Sequence, residues 1–294
     1  MRLIAAIALC CTLAAVSGCG GRMQAKAPTA TTVAAPAKEP GPPPLAVGVV
    51  GPIQLDVPGT RVVHGSLARL GGLPLLLVSS EVAGAATVAG AAAGHPGSHY
   101  ALVGASAKAE HRSNLTGVVI REDQAARLAG LVAGYAAGDG SAPESTRVAW
   151  VGPEERPLAG AAVRGLHSVA PRATFLRQWT SKVPARCKEG ALAAIGRGAT
   201  VVIAHGGLCA EAAVNAAHEQ GLVGLELSDF ELPDVAAGWI ASEAEHGIYH
   251  GGDDVVFGLR SGALGVRRLD PRIPAAAATR ARAAVQEIVG GLRP

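Results

Sequence analysis

Two short stretches of the chain place polar side chains at the end of an apolar, strand-like run. The first contains Glu226, Ser228, Asp229 and Phe230, which close the run that begins at residue 222. A carboxylate there could accept hydrogen bonds from sugar hydroxyls, and the Phe230 ring could stack on a base. The alternative interpretation is an acidic connecting loop with a partly buried Phe230. Both interpretations predict that these residues lie where a cleft should open.

The second stretch, His205, Gly206 and Gly207, ends the apolar run at 200–205. Because glycine has no side chain, backbone N–H groups at these positions could approach a ligand closely. Glycine is equally common in plain turns, so the stretch is a candidate binding loop and a candidate turn.

A third segment, residues 243–254, brings histidines and carboxylates together. His246 and His250 are four residues apart and would share one face of a helix, as metal ligands often do. Gly247 weakens such a helix, and no His-Glu-x-x-His pattern occurs. We therefore interpret the segment as a solvated polar turn and predict no metal site.

Motifs that mark an enzyme or a cofactor are missing from the chain. There is no Gly-x-Ser-x-Gly elbow, no phosphate-binding P-loop and no dinucleotide fingerprint. The sequence thus favours a protein that is not an enzyme and that holds no cofactor.

The elements that must position these residues alternate between strand and helix. Apolar runs, several of them continuous as in strands buried on both faces, predict strands at 45–51, 75–79, 101–105, 115–120, 148–152, 173–179, 200–205 and 222–227. Helices are predicted at 81–93, 123–137, 159–169, 187–196, 210–219 and 275–289. This alternation predicts an α/β fold of parallel sheets with helices on both faces, where ligands bind beyond the carboxyl ends of the strands.

Composition excludes several classes of protein. Hydrophobic residues make up 49% of the 294 residues, enough to bury a sizeable core. A formal net charge of +3, with no basic stripe interleaved with aromatic residues, argues against nucleic-acid binding.

The N-terminus indicates export and a lipid anchor. Arg2 precedes an apolar run at 3–16 that is too short to span a bilayer, and small residues then lead to Cys19. The pattern resembles a bacterial lipobox, so we expect a signal peptide at 1–18, lipidation of Cys19 and an Ala/Pro/Gly-rich tether at 19–44. An ordinary signal peptide with a chance cysteine is the alternative. The expected location is the extracytoplasmic surface of a bacterial membrane.

Two cysteines, Cys187 and Cys209, remain in the exported body of the chain. In an oxidising compartment a disulfide between them is the natural interpretation, and two unpaired buried thiols are the alternative.

Three segments together resemble the basic membrane protein family, the nucleoside-binding type of substrate-binding lipoprotein. They are residues 114–134, 147–227 and 252–265, the last followed by Pro-Arg-Ile-Pro at 271–274. The resemblance implies a two-lobed type 1 periplasmic-binding-protein fold, with a first lobe at 45–118 and about 229–255 and a second at 119–228 and about 256–294. It further implies a nucleoside or related small solute as ligand, an ABC-type permease as partner, and a cysteine pair at Cys187 and Cys209.

The chain departs from this family mainly in the first lobe. Of the acidic–aromatic–Asn motif expected after the first strand only Asp56 is kept, whereas Glu226 aligns with the ligand-contacting acid of the second lobe. A lysine usual near residue 242 is missing, and we expect the helix there to be cut to 243–250. These departures predict a shortened first lobe and weak or lost nucleoside binding. A degenerate binding fold that acts as a sensor or interaction module is therefore the alternative function.

Overall fold

The computed structural model describes residues 43–138 and 146–290. The predicted signal peptide, Cys19 and nearly all of the predicted tether lie outside the described residues. No helix in the described part of the chain is long and apolar enough to cross a membrane.

One parallel sheet of six strands forms the first lobe. Its order is β10–β5–β4–β3–β1–β2, with β1 (Leu45–Val50), β2 (Thr60–His64), β3 (Leu75–Ser79), β4 (His99–Val103), β5 (Leu115–Ile120) and β10 (Asp254–Phe257). Every residue of β3 is buried, because helices cover both faces of the sheet. The helices of this lobe are α1 (Leu67–Leu70), α2 (Ala85–Gly94) and α7 (Pro233–Glu245). Helices α1 and α2 pack on one face and α7 packs on the other.

A parallel sheet of four strands forms the second lobe. Its order is β7–β6–β8–β9, with β6 (Arg147–Gly152), β7 (Thr174–Trp179), β8 (Val201–Ala204) and β9 (Val223–Glu226). One face is covered by α3 (Glu122–Ala137), α4 (Arg156–Val169) and α8 (Ala275–Val289), and the other by α5 (Pro184–Gly196) and α6 (Leu208–Glu219).

Small residues let the helices of the second lobe pack with their backbones in contact. A Cβ on Gly130 of α3 would overlap the carbonyl oxygen of Ala162 in α4, and one on Gly165 would overlap that of Arg127. The abundance of alanine and glycine in this part of the sequence therefore has a packing cause.

Cys187 at the start of α5 and Cys209 at the start of α6 form a disulfide, with their Cα atoms 5.4 Å apart. Both residues are fully buried. The pairing thus joins the two helices that cover one face of the second sheet.

Three segments cross between the lobes. The first leads from β5 into α3, the second is the 3₁₀ turn Leu227–Phe230 with the residues before α7, and the third follows β10. The last two run side by side: Leu232 N–H donates to Ala263 O at 2.9 Å, and Gly265 N–H donates to Phe230 O at 3.0 Å. Glu231 lies between these bonds, in a bridge to Leu264.

The helix expected to be cut to 243–250 is instead a full element, α7, of 13 residues. Its buried side is made of small and aliphatic side chains, Ala236, Ala237, Ile240, Ala241 and Ala244, which pack on the first sheet. This apolar periodicity overrides the expectation taken from the family comparison.

The end of α7 also determines where the two histidines of this region lie. The helix stops before His246, and Gly247 adopts a φ of 77°, so His246 and His250 share no helix face. His250 stacks on Trp239 instead, with ring centroids 5.2 Å apart. Strands β2 and β10 were not predicted, because they are short edge strands with partly exposed side chains.

Candidate functional site

A cavity of about 600 Å³ lies between the two lobes, beyond the carboxyl ends of strands from both sheets. The first lobe contributes the residues that follow β1, β3 and β4. The second lobe contributes those that follow β8 and β9, and the crossing segments line the rest. The residues with side chains that carry charge or hydroxyl groups here are Ser79, Ser80, Glu81, Glu122, His205, Glu226, Ser228, Asp229, Glu231, Arg267 and Arg268.

Glu226 and Asp229 line the cleft and also hold each other in place. Each carboxylate accepts a hydrogen bond from the backbone N–H of the other residue, which closes a capping box around the 3₁₀ turn. Burial raises the pKa of both carboxyl groups, and repulsion from Asp229 adds to the rise at Glu226. A hydrogen bond from Ser228 acts in the opposite direction on Glu226.

Phe230 does not face the cleft. Its side chain is 0% exposed and belongs to the core of the second lobe, where Leu264 and α3 are packed. The structure therefore corrects the expectation that this ring stacks on a ligand. The alternating directions of side chains in the extended crossing segment put Glu231, the next residue, on the cleft side.

Asp56, the acid kept from the first-lobe motif, also lies away from the cleft. It is exposed and is not among the lining residues. Pro52 and Ile53 occupy the lining positions after β1 instead. The first lobe therefore offers a different set of groups from the one that the family comparison suggested.

His205, Gly206 and Gly207 are brought to the cleft together. The His205 ring lies 6.0 Å from that of the buried Trp150, and its Nε2 is 3.2 Å from Oε1 of Glu155. Gly206 and Gly207 have φ values of 108° and 59°, which favour glycine, so the backbone itself forms this wall.

Among the described residues, one group of side chains could hold a metal ion. Ligand atoms of Glu122, Glu155 and His205 lie within 4.8 Å of one another. The histidines singled out by sequence, His246 and His250, are not part of it. Such carboxylate-rich groups are common on protein surfaces without a metal, and this group carries no metal assignment.

Three carboxylates of the cleft were not predicted from the sequence: Glu81, Glu122 and Glu231. Glu81 follows the predicted strand at 75–79, so the rule that ligands bind beyond strand ends would have found it. Glu231 had no such signal, because its place depends on how the crossing segments meet. Burial raises the pKa of Glu231 to about 7, and repulsion from Glu122, Glu226 and Glu81 contributes to the rise.

Comparisons with known proteins identify the fold. No protein-family model and no curated protein sequence matches the chain. An ABC transporter solute-binding protein from Conexibacter woesei is similar in structure, with a TM-score of 0.58 and 15% identity over 85% of this chain and 98% of that one.

Two further structures give the same result. A solute-binding protein of an ABC transporter system from Aeropyrum pernix has a TM-score of 0.54 and 17% identity over 85% of this chain and 92% of that one. A transcriptional activator of the comK gene from Bacillus halodurans has a TM-score of 0.57 and 14% identity over 85% and 99%. The expected fold class, two α/β lobes of the type 1 periplasmic-binding-protein kind, is confirmed.

Proposed function

We propose that this chain is a membrane-anchored, extracytoplasmic substrate-binding lipoprotein that delivers a small polar solute to an ABC-type importer. The observation that carries the proposal is the cleft, which takes charged and hydroxyl side chains from both lobes and from the segments that cross between them. A volume of about 600 Å³ suits a small molecule. Two proteins of similar structure are ABC transporter solute-binding proteins.

The geometry supports binding by closure of the two lobes on the solute. Ser80 and Glu81 of the first lobe could contact one side of a ligand, and His205 and Ser228 of the second lobe the other. The crossing segments would act as the hinge, since the chain passes between the lobes through them in the part that the structure describes. Membership of the strands in two separate sheets supports lobes at 45–118 with about 229–255 and at 119–228 with about 256–294.

A solute screen tests the function. A ligand that binds only the folded protein at a hundredfold excess over its dissociation constant stabilises it by about 2.7 kcal/mol, which a thermal-shift assay detects. Ser228→Trp should abolish the shift because the new ring fills the cleft from an exposed position, whereas Ser113→Trp, far from the lining residues, should keep it. A shift that survives Ser228→Trp would place binding elsewhere and contradict the proposal.

The proposed anchor is an acyl-modified Cys19 after removal of residues 1–18. Mass spectrometry of the membrane fraction should find a diacylated or triacylated N-terminal peptide. An unmodified, soluble chain that begins elsewhere would contradict the anchor and leave the cleft proposal unaffected.

The nucleoside implied by the family resemblance is the least supported part of the proposal. None of the nine Phe, Tyr and Trp side chains of the chain lines the cleft. Without an aromatic platform for the base, inosine, adenosine and guanosine should bind weakly or not at all in a calorimeter. Micromolar binding that disappears in Glu226→Ala would show that a family-type site is intact.

A sensor or interaction module is the second candidate function. One protein of similar structure is a transcriptional activator, so this fold also serves outside solute transport. Adjacent permease and ATPase genes would favour transport, and a cleft that binds no solute would favour the second candidate.

A further inference from the structure

The charges that line the cleft are not balanced. Five carboxylates line it, from Glu81, Glu122, Glu226, Asp229 and Glu231, against two guanidinium groups, those of Arg267 and Arg268. The carboxylates come from both lobes and from two crossing segments, so they surround the space.

Both arginines interact with aspartates. Arg267 forms an ion pair with Asp234, which is not a lining residue. Arg268 lies close enough to Asp229 to oppose the rise in its pKa. His205 contacts Glu155. Within the described residues, none of the other four cleft carboxylates forms an ion pair: Glu81, Glu122, Glu226 and Glu231.

Glu231 bears the greatest share of this imbalance. Its side chain is partly buried, and within the described part of the chain no side chain or backbone group donates a hydrogen bond to it. Partial burial of a carboxylate without a donor or a cation is costly, because the hydration that it loses is not replaced. The charged groups that face it are Glu122 from α3, Glu226 from the end of β9 and Glu81 from the loop after β3, with Arg267 and Arg268 on the same cleft.

We propose that the cleft takes a small organic cation, a solute with an ammonium or guanidinium group held by Glu231 and Glu81; this rests on the proposed solute-binding function. The position and size of the cleft define the binding site, and its carboxylates favour a positively charged ligand. Ammonium and guanidinium groups donate hydrogen bonds that carboxylates accept, so they satisfy both the charge and the missing donors. A cleft of about 600 Å³ is far larger than a bare metal ion requires.

Binding of a cation should be linked to the proton on Glu231. With a pKa of about 7, this carboxyl group is partly protonated in the empty protein near neutral pH. A cation beside it favours the ionised form, so binding releases a proton and strengthens as the pH rises from 6 to 8. A neutral solute shows no such dependence on this group.

The test is calorimetry on the mature protein with four sets of probes. Putrescine, spermidine, agmatine and arginine are the organic cations, inosine and ribose are neutral, citrate is anionic, and CaCl₂ and ZnCl₂ are the metal salts. We expect at least one organic cation to bind, with affinity reduced tenfold or more in Glu231→Gln and in Glu81→Gln. Glu219→Gln, on the exposed end of α6, is the matched control and should bind like the wild type. The rise in affinity between pH 6 and 8 should flatten in Glu231→Gln.

Four outcomes would overturn the proposal. Binding of ribose, inosine or citrate, with no binding of any cation, would overturn the cationic ligand and leave the solute-binding function standing. Binding of CaCl₂ or ZnCl₂ without any organic cation would replace it by a metal site. Cation binding unchanged in both Gln variants, each folded by circular dichroism, would place the cation elsewhere. No binding by any probe would overturn the solute-binding function as well.

Discussion

The two lobes share an architecture but differ in how tightly it is locked. In the second lobe, α3 and α4 pack backbone against backbone, and a disulfide joins α5 to α6. The first lobe contains no cysteine, Gly90 of α2 has open space around it, and Val256 on the edge strand β10 is 57% exposed. Glycine is therefore a packing requirement where α3 meets α4 and is merely permitted at position 90 of α2.

The two lobes also differ in the groups that they contribute to the cleft. The second lobe presents a wall of glycine backbone and an acidic turn closed by its own capping box. The polar side chains that the first lobe presents, Ser79, Ser80 and Glu81, lie at the end of a single strand, β3. Affinity in such a cleft requires contacts from both sides, so the proposed solute would have to be recognised by the groups that the first lobe offers here, and not by the motif of the resembled family.

Removal of the disulfide should have the largest effect. It closes a loop of 22 residues, and its loss in Cys187→Ala/Cys209→Ala should lower the free energy of unfolding by about 3 kcal/mol in urea titrations. Reduction of the wild type should produce a similar loss, and the double variant should not respond to the reductant. Hydrogen exchange that accelerates in the first lobe as much as in the second would remove the contrast between them.

Glu231→Gln should stabilise the protein at high pH. The carboxyl pKa is about 7 in the folded chain against 4.5 for a free carboxyl, so the folded state binds more protons and the wild type loses stability as the pH rises between these values. The amide carries no charge, so the variant should gain about 2–3 kcal/mol over the wild type at pH 8 and nothing below pH 4.5. Denaturant titrations at pH 4, 6 and 8 measure this. A gain that is equal at all three values would refute the linkage.

One substitution made in each lobe should give opposite signs. Gly130→Ala in α3 places a methyl group against the carbonyl oxygen of Ala162 and should lower the free energy of unfolding by about 1–3 kcal/mol. In Gly90→Ala of α2 the new methyl group contacts no other atom, so the variant should raise the free energy of unfolding by about 0.5–1 kcal/mol through better helix propensity. Thermal unfolding of the two variants compares the lobes directly, and equal effects would mean that the second lobe relaxes freely.

The smallest effect should come from the other link between α5 and α6. Lys188 Nζ lies 2.8 Å from Oε2 of Glu219, with both side chains about half exposed. Solvent screens such a pair, so Lys188→Met should cost about 0.5 kcal/mol or less. A loss as large as that from the disulfide variant would show that charge, rather than the covalent link, joins these helices.

The sequence predicted most of the strands and helices, but it predicted the lining of the cleft only on the side of the second lobe. Continuous apolar runs located β3 and β5 to the residue, because a strand buried on both faces is rich in apolar residues along its whole length. The helix expected at 243–250 was wrong, because the helix of this region spans Pro233–Glu245. The predictions that Phe230 and Asp56 contact a ligand were wrong. The direction of a side chain depends on which segment packs beside it, and the local sequence pattern does not contain that information.

By itself, the sequence determined what local patterns can encode: the alternation of strand and helix, the expected pairing of Cys187 with Cys209, and the turn at 205–207. Those signals are local, since each depends on residues within a few positions of one another. Only the tertiary structure decided that Glu81, Glu122, Glu226 and Glu231 face one cleft and form no ion pairs within the described residues. These four residues lie on separate elements far apart in the chain, and their mutual repulsion exists only once the crossing segments hold the two lobes together.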